Sequence, residues 1–426
     1  MTGSPDIIIV GEVYFPERTA SAFSLLGKAK ALREAGFSVL FAGMEKDPRP
    51  EDRQSDGTYA YHGFPYVSER GFGDGRIARL KRGLFTHVTG GTTIQRLHEI
   101  DTRSTQAILT YQCSSVLLWR LRRFCRKRRI ALIAYRTEWF DAKHMPWGRC
   151  GVAYWDAELC TRRILPKIGH VTCISSYLHR YYQSRGCHAM WVPTLIDLDA
   201  CNAASPAGPT ASHQPADELR LVFSGSPPRE QWDVIFAGLK QMRQAGRNVR
   251  LDVYGSSRES FLSAIGAGRK LAEEFGDALV VHGRVSREEY LRGVLQADFI
   301  VMLREIARWS QACLPTKLPE LMAMGMPIIT NAHSDLGEFI RDGVEGLIVE
   351  QPAVPEFVAT LTRAMRMRRE DIVRLGENSR QRAEERFNYR RYAGPLGQFF
   401  REAIAAVPSR GDSRADTLRA REGQPS

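Results

Sequence analysis

The chain has 426 residues, 43% hydrophobic and 25% charged, with a formal net charge of +12. That balance is globular and excludes a disordered or collagen-like chain, and the length exceeds what one hydrophobic core holds, so two domains are expected. Eight cysteines lie scattered without a Cys-x-x-Cys pair or a Cys/His grouping at zinc spacing, which reads as reduced thiols and no metal site. No apolar run approaches the roughly 20 residues of a spanning helix. Met1–Asp6 shows no basic and apolar regions of a secretory signal. The expectation is a cytoplasmic protein, soluble or peripheral at the inner face of the cell membrane.

Asp6–Val10 is a run of apolar residues of the kind a buried parallel strand requires. A loop, a helix over Ala22–Ala35 ending at Gly36, and a strand over Phe37–Gly43 follow. The alternation resumes with strand Ala107–Thr110, helix Val116–Arg128 and strand Ile130–Tyr135. An aromatic-rich stretch leads to strand Val171–Ile174, helix Ser175–Arg185 and strand Met190–Val192. Basic clusters at Arg76–Arg82 and Arg120–Arg129 are interleaved with Leu, Phe or Trp. They read as a solvated helix face or as a patch for an anionic membrane surface. Cys201–Glu218, rich in Ala, Pro, Ser and Gly, reads as a linker.

The pattern then restarts: strand Leu219–Ser224, helix Trp232–Gln244, strand Val249–Tyr254, helix Phe261–Phe275, strand Ala278–His282, helix Glu288–Gln296 and strand Phe299–Leu303. The expected fold class is α/β, with two Rossmann-like domains facing a central cleft and ligands at the C-terminal ends of the strands. The expected boundaries are 1–200 for the first domain, 201–218 for the linker and 219–385 for the second domain. A crossover helix is expected at 386–408, and 409–426 reads as a disordered tail.

Leu314–Gly346 carries the densest chemistry. Thr316 reads as an N-cap, Pro319 as a first-turn proline, and Gly325 with Pro327 as a helix stop. The helix N-terminus would offer N–H groups and partial positive charge to a phosphate, and Lys317 adds a mobile cation. Glu320 can accept two hydroxyl hydrogen bonds from a ribose. A second short helix opens near Leu336 and Gly337 and would bring another N-terminus to the same diphosphate.

The spacing Pro-x-Lys-x-x-Glu-x-x-Ala-x-Gly-x-Pro from Pro315 to Pro327, then Gly337-Glu338 and Asp342-Gly-x-x-Gly346, resembles the donor-binding region of family 4 glycosyltransferases of the GT-B fold. Leu221–Gly225 is similar to the first strand of that domain, and His282–Ser286 to its base-binding loop, which puts Arg284 and Val285 at the base. Phe387–Phe400 is similar to the helix that crosses back to the N-terminal domain. The resemblance implies a metal-independent, anomer-retaining transfer of a hexose-type sugar from a UDP- or GDP-linked donor. It also implies no bound cofactor, a ribose held by Glu320, and a leaving diphosphate stabilised by cations and helix termini.

Three departures stand out. Ala312 occupies the place of a second glutamate, Ser226 after Gly225 replaces an arginine, and Thr19-Ala20-Ser21 replaces a Gly-Gly pair. Arg229 and Arg304 are the candidates to supply the charge missing at Ser226. On the acceptor side, Glu138 in Tyr135-Arg-Thr-Glu-Trp139 follows a strand end. It reads as a group that binds or deprotonates an acceptor hydroxyl, or as a carboxylate paired with Arg136. Tyr111 and Gln112 share that position on the preceding strand, and His333 leads a set of weaker candidates that includes His87, His98, His144 and His170.

The expected partners are a nucleotide-sugar, a saccharide or polyprenyl-linked acceptor of polysaccharide or lipopolysaccharide assembly, and an anionic membrane surface. No nucleic-acid recognition motif is present. A nucleotide-sugar epimerase of the same fold, or a glycosyltransferase-like binding protein without activity, are the alternatives.

Overall fold

The computed structural model describes residues 4–16, 20–44, 49–67, 89–204 and 218–408. It forms two compact units, residues 1–193 with 389–426, and residues 194–388. The basic cluster Arg76–Arg82, His87, Thr19, most of the expected linker and the tail 409–426 lie outside the described residues.

The first unit begins with strand β1 (Ile7–Gly11), helix α1 (Ala20–Glu34) and strand β2 (Val39–Ala42). A short hairpin of β3 (Tyr59–Tyr61) and β4 (Phe64–Tyr66) precedes helix α2 (Gly91–Glu99). Strand β5 (Ala107–Tyr111), helix α3 (Ser115–Arg128), strand β6 (Ala131–Arg136) and helix α4 (Val152–Leu159) follow. The unit's sheet ends with β7 (His170–Cys173), helix α5 (Ser176–Gln183) and β8 (His188–Trp191). The sheet order is β3-β4-β2-β1-β5-β6-β7-β8, parallel throughout except for the hairpin. β1 is buried along its whole length, as a central parallel strand covered on both faces must be.

The second unit opens with helix α6 (Leu198–Ala204), then β9 (Glu218–Ser224), α7 (Trp232–Gln244) and β10 (Asn248–Tyr254). Helices α8 (Arg258–Ala264) and α9 (Arg269–Phe275), strand β11 (Leu279–Gly283), helix α10 (Arg287–Leu295) and strand β12 (Phe299–Met302) come next. Short helices α11 (Arg308–Ala312) and α12 (Leu318–Ala323) precede β13 (Ile328–Asn331), helix α13 (Leu336–Phe339) and β14 (Gly346–Val349). Helices α14 (Val354–Arg366) and α15 (Arg369–Phe387) close the unit. The six strands run β11-β10-β9-β12-β13-β14, all parallel. This is the doubly wound dinucleotide-fold order, whose direction reverses between β9 and β12. There β9 and β12 pair only Phe299 with Leu221 and Ile300 with Val222, whereas β9 and β10 pair out to Tyr254 with Ser224.

Three expectations need correction. The helix expected over Phe261–Phe275 is broken into α8 and α9, because Gly266 takes φ +52° and a Cβ on Gly268 would stand 2.6 Å from Trp232 Cβ. The boundary lies at Pro193–Thr194 rather than at residue 200. Ile196 N–H donates to Phe387 O at 2.9 Å, and Asp197 Oδ1 accepts from the Asp199 and Ala200 amides, so Thr194–Ala204 is ordered chain of the second unit and not linker. The expected crossover helix at 386–408 begins instead at Tyr389, since α15 runs to Phe387.

The last helix, α16 (Tyr389–Ala405), belongs to the first unit and packs on α1. Contact is close because Gly397 faces Ala35, where an added Cβ would fall 2.5 Å from the alanine Cβ. Phe400 meets Phe37 at 6.3 Å between ring centres, and Phe399 meets His188 at 4.9 Å. Gly397→Leu gains up to about 1 kcal/mol in helix propensity and meets a steric cost of about 1–3 kcal/mol from overpacking. The expected outcome is a lower thermal midpoint for the variant, and an unchanged or higher midpoint would contradict this close approach.

Candidate functional site

The reversal between β9 and β12 leaves the loops at their C-terminal ends to line a crevice in the second unit. After β9 the chain turns at exposed Gly225 and Ser226 into a single turn, Pro227–Arg229. Gln231 N–H donates to Leu303 O at 2.8 Å and ties this loop to the end of β12. Asn331, at the end of β13, clamps the same place: its Oδ1 accepts from Arg304 N–H at 2.9 Å and its Nδ2 donates to Arg304 O at 2.8 Å.

Glu320 is the centre of the arrangement. Pro319, within the first two residues of α12, is compatible with a helix start and delivers Glu320 into the first turn. The carboxylate is 2% exposed. Lys317 Nζ donates to Oε2 at 2.9 Å and Arg287 Nη1 to Oε1 at 3.0 Å. Burial opposes ionisation of Glu320, but Lys317 and then Arg287 outweigh it and hold the carboxyl below its ordinary 4.5. Lys317 is far more exposed than Glu320; what desolvation its ammonium meets is outweighed by Glu320 and then Tyr290, which hold its pKa above the ordinary value. It stands 5.4 Å from the Tyr290 ring centre.

Arg287 is the residue that sequence reasoning missed. Ser286 caps α10, its hydroxyl accepting from Glu289 N–H at 3.1 Å, and so sets Arg287 in the first turn. The Arg287–Glu320 pair therefore joins the loop carrying exposed Arg284 and half-buried Val285 to the start of α12. Position alone was a signal, since Arg287 directly follows the loop expected at the base.

Other expected residues fall differently. Thr316 is not an N-cap: it sits inside a turn closed by Leu318 N–H to Pro315 O at 3.1 Å, and Lys317 takes the cap position without a side-chain cap bond. Arg304 is not a mobile cation for a phosphate. Its guanidinium is buried, with Nε donating to Glu230 Oε1 at 2.8 Å, because a buried charge must be paired. Burial pushes the Glu230 carboxyl up against the pull of Arg304, and Glu230 Oε2 has no hydrogen-bond partner among the described residues. Arg229 is half-buried in the turn beside them. Leu336 is buried and Gly337 exposed at the start of α13, a four-residue turn too short to present a helix dipole. Ala312, in the place of the second glutamate, is fully buried.

In the first unit, Glu138 follows β6 and is half-buried. Tyr111, chiefly through burial and then through Glu138, is pushed up to about 12. Arg136 donates to Gln112 Oε1 at 3.3 Å and to Thr161 Oγ1 at 2.7 Å.

His333 follows β13 and is wholly buried. Its Nδ1 lies 3.2 Å from Asn331 O, and Nε2 has no partner among the described residues. Burial, then the nearby Arg304 charge, pulls its pKa down from 6.5 to about 3. The native state thus disfavours the charged imidazole while the unfolded chain does not, so stability falls as pH drops from about 6.5 toward 3. His333→Asn is expected to flatten urea-derived stability against pH across that window. Parallel profiles for the variant and the unsubstituted protein would show that His333 is not the buried neutral group described.

Residues 218–367 match the family model for glycosyl transferases group 1. No curated protein matches the sequence. Among solved structures, sucrose-phosphate synthase from Thermosynechococcus elongatus is similar at 18% identity and TM-score 0.68, covering 94% of this chain and 99% of that one. HepE from Anabaena, in complex with UDP and glucose, is similar at 13% identity and TM-score 0.62, covering 95% and 100%. An Escherichia coli trehalose-6-phosphate protein bound with UDP-2-fluoro glucose matches at 11% identity and TM-score 0.63, covering 95% and 100%. These likenesses establish the GT-B fold of the chain, and the family match identifies residues 218–367 as a group 1 glycosyl transferase domain.

Proposed function

We propose that the enzyme moves a hexose-type sugar from a UDP- or GDP-linked donor to a saccharide or polyprenyl-linked acceptor, with retention of anomeric configuration. The observation that carries the reading is the Glu320 carboxylate, kept ionised between Lys317 and Arg287 beside the Arg284–Val285 loop and the β9–β12 reversal. Each carboxylate oxygen has a lone pair left after its one cation, so both ribose hydroxyls can still donate to it. The base lies against the backbone of Arg284 and Val285. The diphosphate lies against exposed Gly225, Ser226 and Gly337, with Thr316 and Leu336 in the flanking backbone. The bound UDP of HepE and the UDP-2-fluoro glucose of the E. coli protein support this class of donor.

In the reaction the bond from the anomeric carbon to the diphosphate oxygen breaks and its electron pair leaves with the diphosphate. Lys317 and Arg229 stabilise that charge, a role in which fixed cations act more strongly than water does. The acceptor hydroxyl attacks from the face the diphosphate leaves, and its proton passes to the departing phosphate oxygen. Glu138 orients the acceptor hydroxyl. The acceptor class places the reaction in polysaccharide or lipopolysaccharide assembly.

Calorimetry with UDP, GDP and ADP, each with and without its hexose, tests the donor site. One base is expected to bind in the micromolar range. Glu320→Ala is expected to weaken binding about 30-fold, the loss of a charge-assisted contact worth about 2 kcal/mol, and Arg287→Ala to weaken it less. Binding of no nucleotide, or equal binding by Glu320→Ala, would contradict the proposal.

A further inference from the structure

Seven large hydrophobic side chains are exposed among the described residues, and six of them fall in two short segments of the first unit. Val116 and Trp119 lie on α3, and Trp147, Val152, Trp155 and Leu159 on or just before α4. Trp119 and Trp155 are each 61% exposed and Trp147 is 87% exposed. Exposed hydrophobics scattered singly need no explanation, but a gathered set marks an interaction surface. The two segments are joined: Asp156 accepts from Ser115 N–H at 3.2 Å and from the Ser115 hydroxyl. Val152, Trp155 and Leu159 recur at helical spacing and so share one face of α4.

The exposed charge on α3 has one sign. Helix α3 contains no acidic residue. Arg122, Arg123, Arg126 and Lys127 are exposed, line a shallow recess with Trp119, and have no ion pair among the described residues. The acidic groups of α4 are already engaged. Asp156 is spent on Ser115, and buried Glu158 accepts from Arg162 Nε at 2.5 Å and from Trp139 Nε1 at 2.6 Å. Indole rings with cations beside them suit the interface of an anionic bilayer, where rings enter the headgroup layer and cations meet lipid phosphates. No helix among the described residues is long and apolar enough to cross a membrane, so this surface would lie on the bilayer.

We propose that the face formed by α3 and α4 docks the enzyme on an anionic lipid membrane, with Trp119, Trp147 and Trp155 entering the interface and Arg122, Arg123, Arg126 and Lys127 on the phosphates. The proposal is independent of which donor is bound.

The test is cosedimentation of the full chain with phosphatidylglycerol/phosphatidylcholine vesicles and with pure phosphatidylcholine vesicles, alongside tryptophan emission. Binding is expected only to the anionic vesicles, weakened by salt and accompanied by a blue shift. Arg123→Glu with Lys127→Glu should weaken it roughly tenfold or more. Trp119→Ser with Trp155→Ser should reduce both binding and shift. These side chains are exposed, so the variants should fold, and circular dichroism checks that. Unchanged binding by both double variants, or binding indifferent to lipid charge, would overturn the proposal. So would an absence of vesicle binding together with a dimerisation that the tryptophan variant loses, which would assign the face to a second copy of the chain.

Discussion

A carboxylate that is 2% exposed needs compensation for the water it gives up, and in this protein the compensation for Glu320 comes from two separate elements. Lys317 stands one turn back on the same segment, and Arg287 comes from the first turn of α10. Removing one partner of a buried ion pair costs about 3–5 kcal/mol, although here both cations keep exposed tips that soften the figure. The pair is also a geometric constraint, because it fixes the loop after β11 against the loop before α12. The anion is thereby preorganised at the point in the sheet where the strand order reverses.

The neighbouring polar contacts stiffen the same region without adding mobile charge. Asn331 bonds both backbone groups of Arg304, and Arg304 neutralises Glu230 under the loop that follows β9. Each interaction ties the end of one strand to the end of another. The loops after β9 and β12 are therefore set by buried hydrogen bonds rather than by surface pairs, which contribute little. Around these loops Arg284, Arg287 and Lys317 are exposed cations.

The alternation of strands and helices was readable because parallel strands such as β1 and β12 are continuous apolar runs. Glu320 and Lys317 were legible from spacing, since three residues along a helix place them side by side. Arg287 was not, because its partner lies 33 residues away and only the sheet brings them together. Arg304 misled for the related reason that a sequence does not show whether a cation is already paired. Thr316 misled because a turn closed by Leu318 and Pro315 competes with the cap. Composition concealed the order at Leu198–Ala204, where alanine-rich chain forms a helix on the second unit. Trp155 lies in a stretch that the sequence marks only as aromatic-rich, and its 61% exposure, like that of Trp119 beside the basic cluster, is set by the fold.

Backbone hydrogen exchange with and without UDP-hexose and GDP-hexose tests the central claim most directly, that the Glu320 clasp is the donor seat. One donor is predicted to slow exchange at residues 284–290 and 316–323 together, since a nucleotide held there must order both loops at once. Slowing confined to other parts of the chain, or none with either donor, would contradict the account.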